Sequence, residues 1–245
     1  MDTKIEEIQQ NIFRICLRPK GSFISFNHFL IKDEKPTLIH TGHRELFQYV
    51  YEEVNKIINA ENLSYITFSH FEPDECGSLN EWLEIALNAQ VAINKICDWS
   101  VKDFIGKPSL VLKDGEILDL GKHKLKMIET PHFPHAWEAS VFYDTTSGVL
   151  FGSDIGTQQG FKDSLDNRDV VEEIFALQQK LGYMPFGPSM AEGIRRLQDI
   201  NISILATMHG TALNQKNCRN LLALLEAENQ KACRSIFQDN YPLVQ

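Results

Sequence analysis

Cysteine is sparse and unpatterned here: five residues, at positions 16, 76, 97, 218 and 233, odd in number and never in CxxC spacing. That excludes a disulfide framework and points to reduced thiols. The start, Met1-Asp2-Thr3-Lys4-Ile5-Glu6-Glu7, lacks the basic-then-apolar layout of a secretion signal. Both features set the expectation of a cytoplasmic protein. No uncharged apolar run is long enough to span a bilayer, so no membrane partner is expected. Clusters of lysine and arginine are missing too, and the formal net charge is -9, which argues against nucleic acid as a partner. A GxGxxG fingerprint is absent, which excludes a built-in dinucleotide site of that kind. Neither an internal repeat nor a Pro/Gly/Ser-rich linker divides the chain, so residues 1–245 are read as one domain.

The composition that remains is ordinary for a globular protein, with 43% apolar and 23% charged residues. Strands are expected over residues 11–17, 22–31 and 36–41, followed by a helix over 44–58 and a strand over 64–69. Lys113-Asp114-Gly115 reads as a hairpin turn between strands 109–112 and 116–120. Further strands are expected over 124–129, 140–143 and 149–152, the last two joined by a turn at Thr146-Ser147-Gly148. From Val170 onward the pattern is helical, apart from the apolar run 202–206, and residues 216–238 read as a packing helix. Strands and helices in each half suggest an α/β protein of layered sheets and helices.

One stretch carries far more charge than a buried strand end ordinarily tolerates. In His70-Phe71-Glu72-Pro73-Asp74-Glu75-Cys76-Gly77-Ser78, an imidazole and three carboxylates fall within six residues after an apolar run. Such density asks for a positive partner, and a metal ion is the obvious one. His70, Glu72 and Asp74 alternate, so an extended backbone points all three the same way, and Pro73 favours that geometry at Glu72. Ser78-Leu79-Asn80-Glu81 has the form of a capping box, with Trp82, Leu83 and Leu87 on the inner face of the helix it opens. Three further strand ends or loops offer ligands: His132 and His135 in Pro131-His132-Phe133-Pro134-His135-Ala136-Trp137, Asp154 in Phe151-Gly152-Ser153-Asp154, and His209 in Thr207-Met208-His209-Gly210. One histidine at a strand end is commonly structural. Four such segments together point to a shared metal pocket.

The run His70-x-Glu72-x-Asp74, then His135, then Asp154 nineteen residues on, then His209, resembles the diiron proteins of the metallo-β-lactamase fold. Flavodiiron proteins, and their shorter oxygen-binding diiron relatives, are the nearest likeness, over about residues 11–240. The resemblance implies a four-layer αββα sandwich. It also implies one iron held by His70, Glu72 and His135, a second held by Asp74 and His209, and Asp154 bridging them. The flavodiiron motif has a histidine directly after the aspartate, where this sequence has Glu75, so Glu75 takes that place in the expected ligand set. His135 is preferred to His132 because only His135 keeps the nineteen-residue interval to Asp154. His132 and Trp137 are then expected to orient a ligand or line the pocket, with Phe133 as a further wall. His40 stands where this fold often has an aspartate supporting the ligands, and reads either as such a support or as a core residue. Cys76 reads as a packed hydrophobe.

Carboxylate oxygens suit iron or manganese better than zinc, and Glu72 stands where hydrolytic members of the fold have an imidazole. The cofactor that the resemblance implies is two iron ions joined by an oxo or hydroxo bridge, in preference to zinc or manganese. The function implied is binding and reducing, or sensing, a small oxidant: dioxygen, peroxide or nitric oxide. A dinuclear hydrolase is the alternative. Turnover would need an external electron-donor protein, and a homodimer is the further assembly considered.

Overall fold

Chain order and spatial order coincide in the first half of the computed structural model, which describes residues 1–240. Strands β1 (Asp2–Gln9), β2 (Ile12–Arg18), β3 (Phe26–Ile31) and β4 (Thr37–Ile39) form an antiparallel meander. Strands β5 (Tyr65–Thr67), β6 (Gln90–Asn94) and β7 (Leu110–Leu112) then add in parallel. Parallel neighbours need crossovers, and these carry helices α1 (Phe47–Asn55), α2 (Pro73–Cys76), α3 (Leu79–Ile85) and α4 (Lys95–Val101). The second sheet holds β8 (Ile117–Asp119), β9 (Lys124–Glu129), β10 (Ser140–Asp144), β11 (Val149–Ser153), β12 (Leu165–Asp166), β13 (Ile204–Thr207) and β14 (Ala212–Asn214). Its strands lie in the order β12-β14-β13-β11-β10-β9-β8. Helices α5 (Val171–Leu181), α6 (Pro188–Gln198) and α7 (Gln215–Asn240) complete the fold.

Period-two burial sorts the side chains into layers. Along β3, Phe29 and Ile31 join the core between the sheets with Met127, Phe142 and Phe151. Phe26 and Leu30 face outward and pack with Val50 and Val54 of α1 and Trp82 of α3. Outside the second sheet, Ile174, Ile194, Leu197, Leu221 and Leu225 from α5, α6 and α7 form a third cluster. Burying one such side chain contributes roughly 1.5–3 kcal/mol, so the two outer cores hold the helices in place. This is the four-layer αββα sandwich expected from the resemblance.

Local expectations fared unevenly. Asp114-Gly115 does make a turn, with Gly115 at φ +77°, but it joins no hairpin. Strand β7 belongs to the first sheet and β8 to the second, so the turn carries the chain between layers. The Ser78 hydroxyl donates to the Thr41 carbonyl at 2.8 Å instead of capping α3, and Leu87 lies exposed beyond the helix end. Strand β1 and helix α4 had no distinct signal in the pattern. The turn at 146–148 forms as expected between β10 and β11, with Gly148 N–H donating to the Asp144 carbonyl at 2.9 Å.

Three ligand-bearing segments leave the carboxyl ends of strands at one end of the sandwich: His70 beyond β5, Asp154 beyond β11 and His209 beyond β13. Parallel pairing of β11 with β13, bringing Ser153 opposite Thr207, puts Asp154 and His209 side by side. Main-chain bonds stitch the two sheets together there: Ser140 N–H to the Ser69 carbonyl at 3.0 Å and Asn27 N–H to the Met208 carbonyl at 2.9 Å. Crevices outside strand carboxyl ends are the usual ligand sites of α/β folds.

Candidate metal centre

Each loop at this end is shaped by its sequence. Glu72 is extended, at φ −133° and ψ 154°, as the following proline requires. Pro73 then occupies the first turn of α2, where its missing N–H costs nothing. The expected alternation through Asp74 is therefore interrupted: Asp74 reaches the site from a helical turn, not an extended strand. His135 sits in a loop closed by Phe133 N–H to the Thr130 carbonyl at 2.8 Å and His132 N–H to the Ala136 carbonyl at 2.7 Å. Phe133 anchors that loop, wholly buried against α6 at Gly193, where even a Cβ would come within 2.6 Å of the ring. The His209 loop is clasped by Asn27, whose side-chain amide donates to the Thr207 and Gly210 carbonyls at 2.8 and 2.9 Å. Fully buried Arg14 adds a bond to the Gly210 carbonyl at 3.0 Å and one to Asn27 Oδ1 at 3.0 Å.

Left-handed backbone concentrates at the same end. Of the non-glycine residues with positive φ, His40, His132, Ala136 and Ser153 lie in these loops, and Asn11 sits in a distant turn. Ala136 follows His135 and Ser153 precedes Asp154, so two donors are presented by conformations that surrounding contacts must hold.

The side chains converge on two groups that share one carboxylate. In the first, donor atoms of His70, Glu72, His135 and Asp154 all lie within 4.8 Å of one another. His70 Nε2 is 3.4 Å from Glu72 Oε2 and 3.6 Å from Asp154 Oδ2. His135 Nε2 is 3.1 Å from Glu72 Oε1 and 3.5 Å from Asp154 Oδ2. In the second, His209 Nε2 is 3.3 Å from Asp74 Oδ2 and 3.2 Å from Asp154 Oδ1. Asp154 thus turns one oxygen to each group. The opposite edge of the His209 ring is fixed, with Nδ1 2.8 Å from the Ser25 carbonyl.

Electrostatics show how strongly these groups want a cation. Burial alone would lower the His70 pKa, but Glu75, Glu72 and Asp154 push it up to about 9. Burial likewise opposes protonation of His209, yet Asp154 and Asp74 push it up to about 10. His135 and His70 hold the Glu72 carboxyl well below the usual range. Asp74 and Asp154 are also lowered, His209 outweighing the burial that would raise them. Protons on imidazoles stand in for the positive charge that a metal would supply. Buried His70 Nε2 nevertheless makes no hydrogen bond. An orphaned imidazole nitrogen ringed by carboxylates fits a metal-ligating role.

Glu75 is the expected donor that the structure brings to neither group. Its buried carboxylate lies at the opposite, Nδ1 edge of His70, with Oε1 3.8 Å away. His132 is exposed and clear of the donors, and Trp137 is also largely exposed, stacking edge-on against Trp99 with centroids 5.9 Å apart. These two rim the loop rather than orient a ligand. His40 is buried and touches Glu75, with Nε2 3.3 Å from Glu75 Oε2. The Cys76 thiol is buried, 3.3 Å from the Glu72 carbonyl. Sequence reasoning missed Tyr183, whose ring packs edge-on against His135 at 6.3 Å and whose hydroxyl donates to the Asp154 carbonyl at 3.3 Å. It also missed Arg14, Asn27 and His28. Polar residues within the apolar strands β2 and β3 were the available signal. His28 is fully buried, its Nδ1 3.1 Å from the His40 carbonyl, and burial holds its pKa down at about 3, so the ring is neutral.

Several known proteins resemble this chain in sequence or in fold. Flavo-diiron protein FprA2 of Clostridium acetobutylicum is 26% identical over 229 residues, covering 90% of this chain and 55% of that protein. Diflavin flavoprotein A 1 of Synechocystis sp. is 24% identical over 195 residues, covering 77% of this chain and 34% of that protein. This chain therefore spans about a third to a half of the length of such relatives. Among solved structures, rubredoxin oxygen:oxidoreductase from Desulfovibrio gigas superposes with a TM-score of 0.84 at 18% identity, over 93% of this chain and 62% of that one. The family profile described as "ODP family beta lactamase" matches residues 24–210, and the chain belongs to that family.

Proposed function

We propose that this chain, as a single metallo-β-lactamase-like domain, holds two iron ions and binds and reduces, or senses, a small oxidant such as dioxygen, peroxide or nitric oxide. The observation that carries the reading is Asp154, one buried carboxylate with an oxygen turned to each of two donor groups. His70, Glu72, His135 and Asp154 would hold the first ion; Asp74, His209 and Asp154 would hold the second. Iron bound there would supply open coordination for a small ligand and a redox change, the latter of which zinc cannot offer. The names of the relatives, a flavo-diiron protein and an oxygen:oxidoreductase, point the same way.

The remaining side chains prepare the site. Glu72, Asp74 and Asp154 supply the negative charge that favours the more oxidised ion. Phe26 packs edge-on against the His209 ring at 5.4 Å, and Tyr183 covers His135, so the donors sit in a sheltered pocket. Electrons are proposed to come from a donor protein outside this stretch of chain, and a homodimer is the assembly proposed with it. A location in the cytoplasm fits a chain in which no helix among the described residues is long and apolar enough to cross a membrane. A hydrolase is disfavoured by Glu72, a hard anionic donor where hydrolytic sites carry imidazole.

Metal analysis of protein purified without oxygen tests the reading. Two iron ions per chain, and a near-colourless solution that gains near-ultraviolet and visible absorption in air, are expected. Two zinc ions bound in preference to iron, with no spectral change, would overturn it.

A further inference from the structure

Glu75 follows the metal-facing Asp74, yet its side chain does something else. Oε2 accepts the Ser69 backbone N–H at 2.8 Å and faces His40 Nε2 at 3.3 Å. Oε1 accepts the Ser153 hydroxyl and approaches His70 Nδ1. Ser69 precedes His70, and Ser153 precedes Asp154. A single buried carboxylate therefore ties together a donor loop from each sheet. Both serine hydroxyls face a donor of the first group: Ser69 Oγ and Ser153 Oγ lie 3.3 and 3.4 Å from His70 Nδ1. Ser153 is held at φ +53°, a left-handed conformation that serine adopts only when its surroundings impose it.

The two departures from the resembling pattern meet here. Position 75 has an acid where the flavodiiron motif has a histidine, and position 40 has a histidine where this fold often has an aspartate. His40 and Glu75 are in contact as one buried pair, and the Glu75 carboxylate lies at the Nδ1 edge of His70. A buried carboxylate must find partners, and Glu75 finds four: the Ser69 N–H, the Ser153 hydroxyl, His40 Nε2 and the Nδ1 edge of His70.

We infer that Glu75 is a positioning residue, not a metal ligand. Backed by His40, it fixes the His70 ring, a donor of the first group alone, and so governs metal binding at the first position rather than at the second. The inference rests on the dinuclear site proposed above. Groups behind ligating histidines commonly alter metal affinity by 10–100-fold when removed.

Cobalt(II) titration of metal-free protein, followed by ligand-field absorption, provides the test. His135→Ala, which lacks a first-position donor, identifies the bands of that position. Glu75→Gln is expected to shift the first-position bands and weaken that equivalent by about 10–100-fold, leaving the second-position bands unchanged. His40→Asn and Ser153→Ala should move the same bands in the same direction, and they decide the question by the same criterion if Glu75→Gln fails to fold. A change confined to the second position would make Glu75 a ligand there. Unchanged bands with only a lower Tm, or equal loss at both positions, would reduce Glu75 to a structural residue. Fewer than two cobalt ions in the unsubstituted protein would overturn the dinuclear reading itself, whatever the variants do.

Discussion

Asp154 carries the heaviest burden of any single side chain, because each of its oxygens serves a different donor group. Asp154→Ala should therefore abolish tight binding at both positions, read as a fall from two metal ions per chain toward none. His135→Ala should empty only the first position, whereas His132→Ala should leave both filled, since the His132 side chain is exposed. A full site in His135→Ala would contradict the assignment of this loop. Protonation gives a second residue-level prediction. His70 and His209 are raised to about 9 and about 10 in the metal-free protein. Metal ions need the neutral imidazoles, so uptake near pH 7 should release about two protons per chain. Apparent affinity should then climb until about pH 10. Stability has the opposite sign. Groups with raised pKa values stabilise the fold fully below their ordinary value of 6.5 and lose that contribution as pH rises through 9 to 10. The Tm of metal-free protein should fall across that window, and that of loaded protein should not. Potentiometric titration and a thermal melt series check both.

At the scale of elements, donors depend on what braces their loops. Gly193 lets α6 approach the Phe133 ring, and Phe133 anchors the loop of His135. Gly193→Ala gains about 1 kcal/mol of helix propensity but overpacks the ring, at a cost of about 1–3 kcal/mol. A net loss, a Tm lower by a few degrees and weaker binding at the first position are expected. An unchanged first position would show that the ring does not set the loop. Arg14→Met should cost more, on the order of 3 kcal/mol, because it frees Asn27, Glu6 and the Gly210 carbonyl together. Its signature should be selective loss of the second metal. Sequence pattern shows some of this scale and hides the rest. Apolar runs located most central strands, and charges at their ends marked segments whose side chains converge in the fold, because both are read from burial. Asp114-Gly115 marked a turn but not its partners, since one turn chemistry serves a hairpin and a crossing between sheets. Pro73 marked Glu72 as extended, yet it also opened a helix, which no alternation rule anticipates. Spacing could not tell Glu75 from a ligand either. Neighbours on a helical turn point in different directions, and which one meets the metal depends on His40 and Ser153, far apart in the sequence.

At the scale of the whole molecule, two sheets contribute donors to one end of the sandwich, so the site exists only when they are packed together. His70, Glu72 and Asp74 come from the first sheet's connections; His135, Asp154 and His209 come from the second's. Metal loading should therefore raise the Tm of the whole chain in a single cooperative transition, and separate transitions would contradict that coupling. Two ferrous ions hold two electrons to give. The isolated protein should undergo one fast oxidation and then stall until a reductase is supplied; sustained oxygen consumption with NADH alone would contradict this. The most direct test of the central claim is a Mössbauer spectrum of protein loaded with two equivalents of iron-57 and then exposed to air. A bridged pair predicts quadrupole doublets without magnetic splitting at low temperature, from two ferric ions whose spins cancel. Magnetically split spectra of isolated ferric ions, or iron remaining in solution, would contradict it.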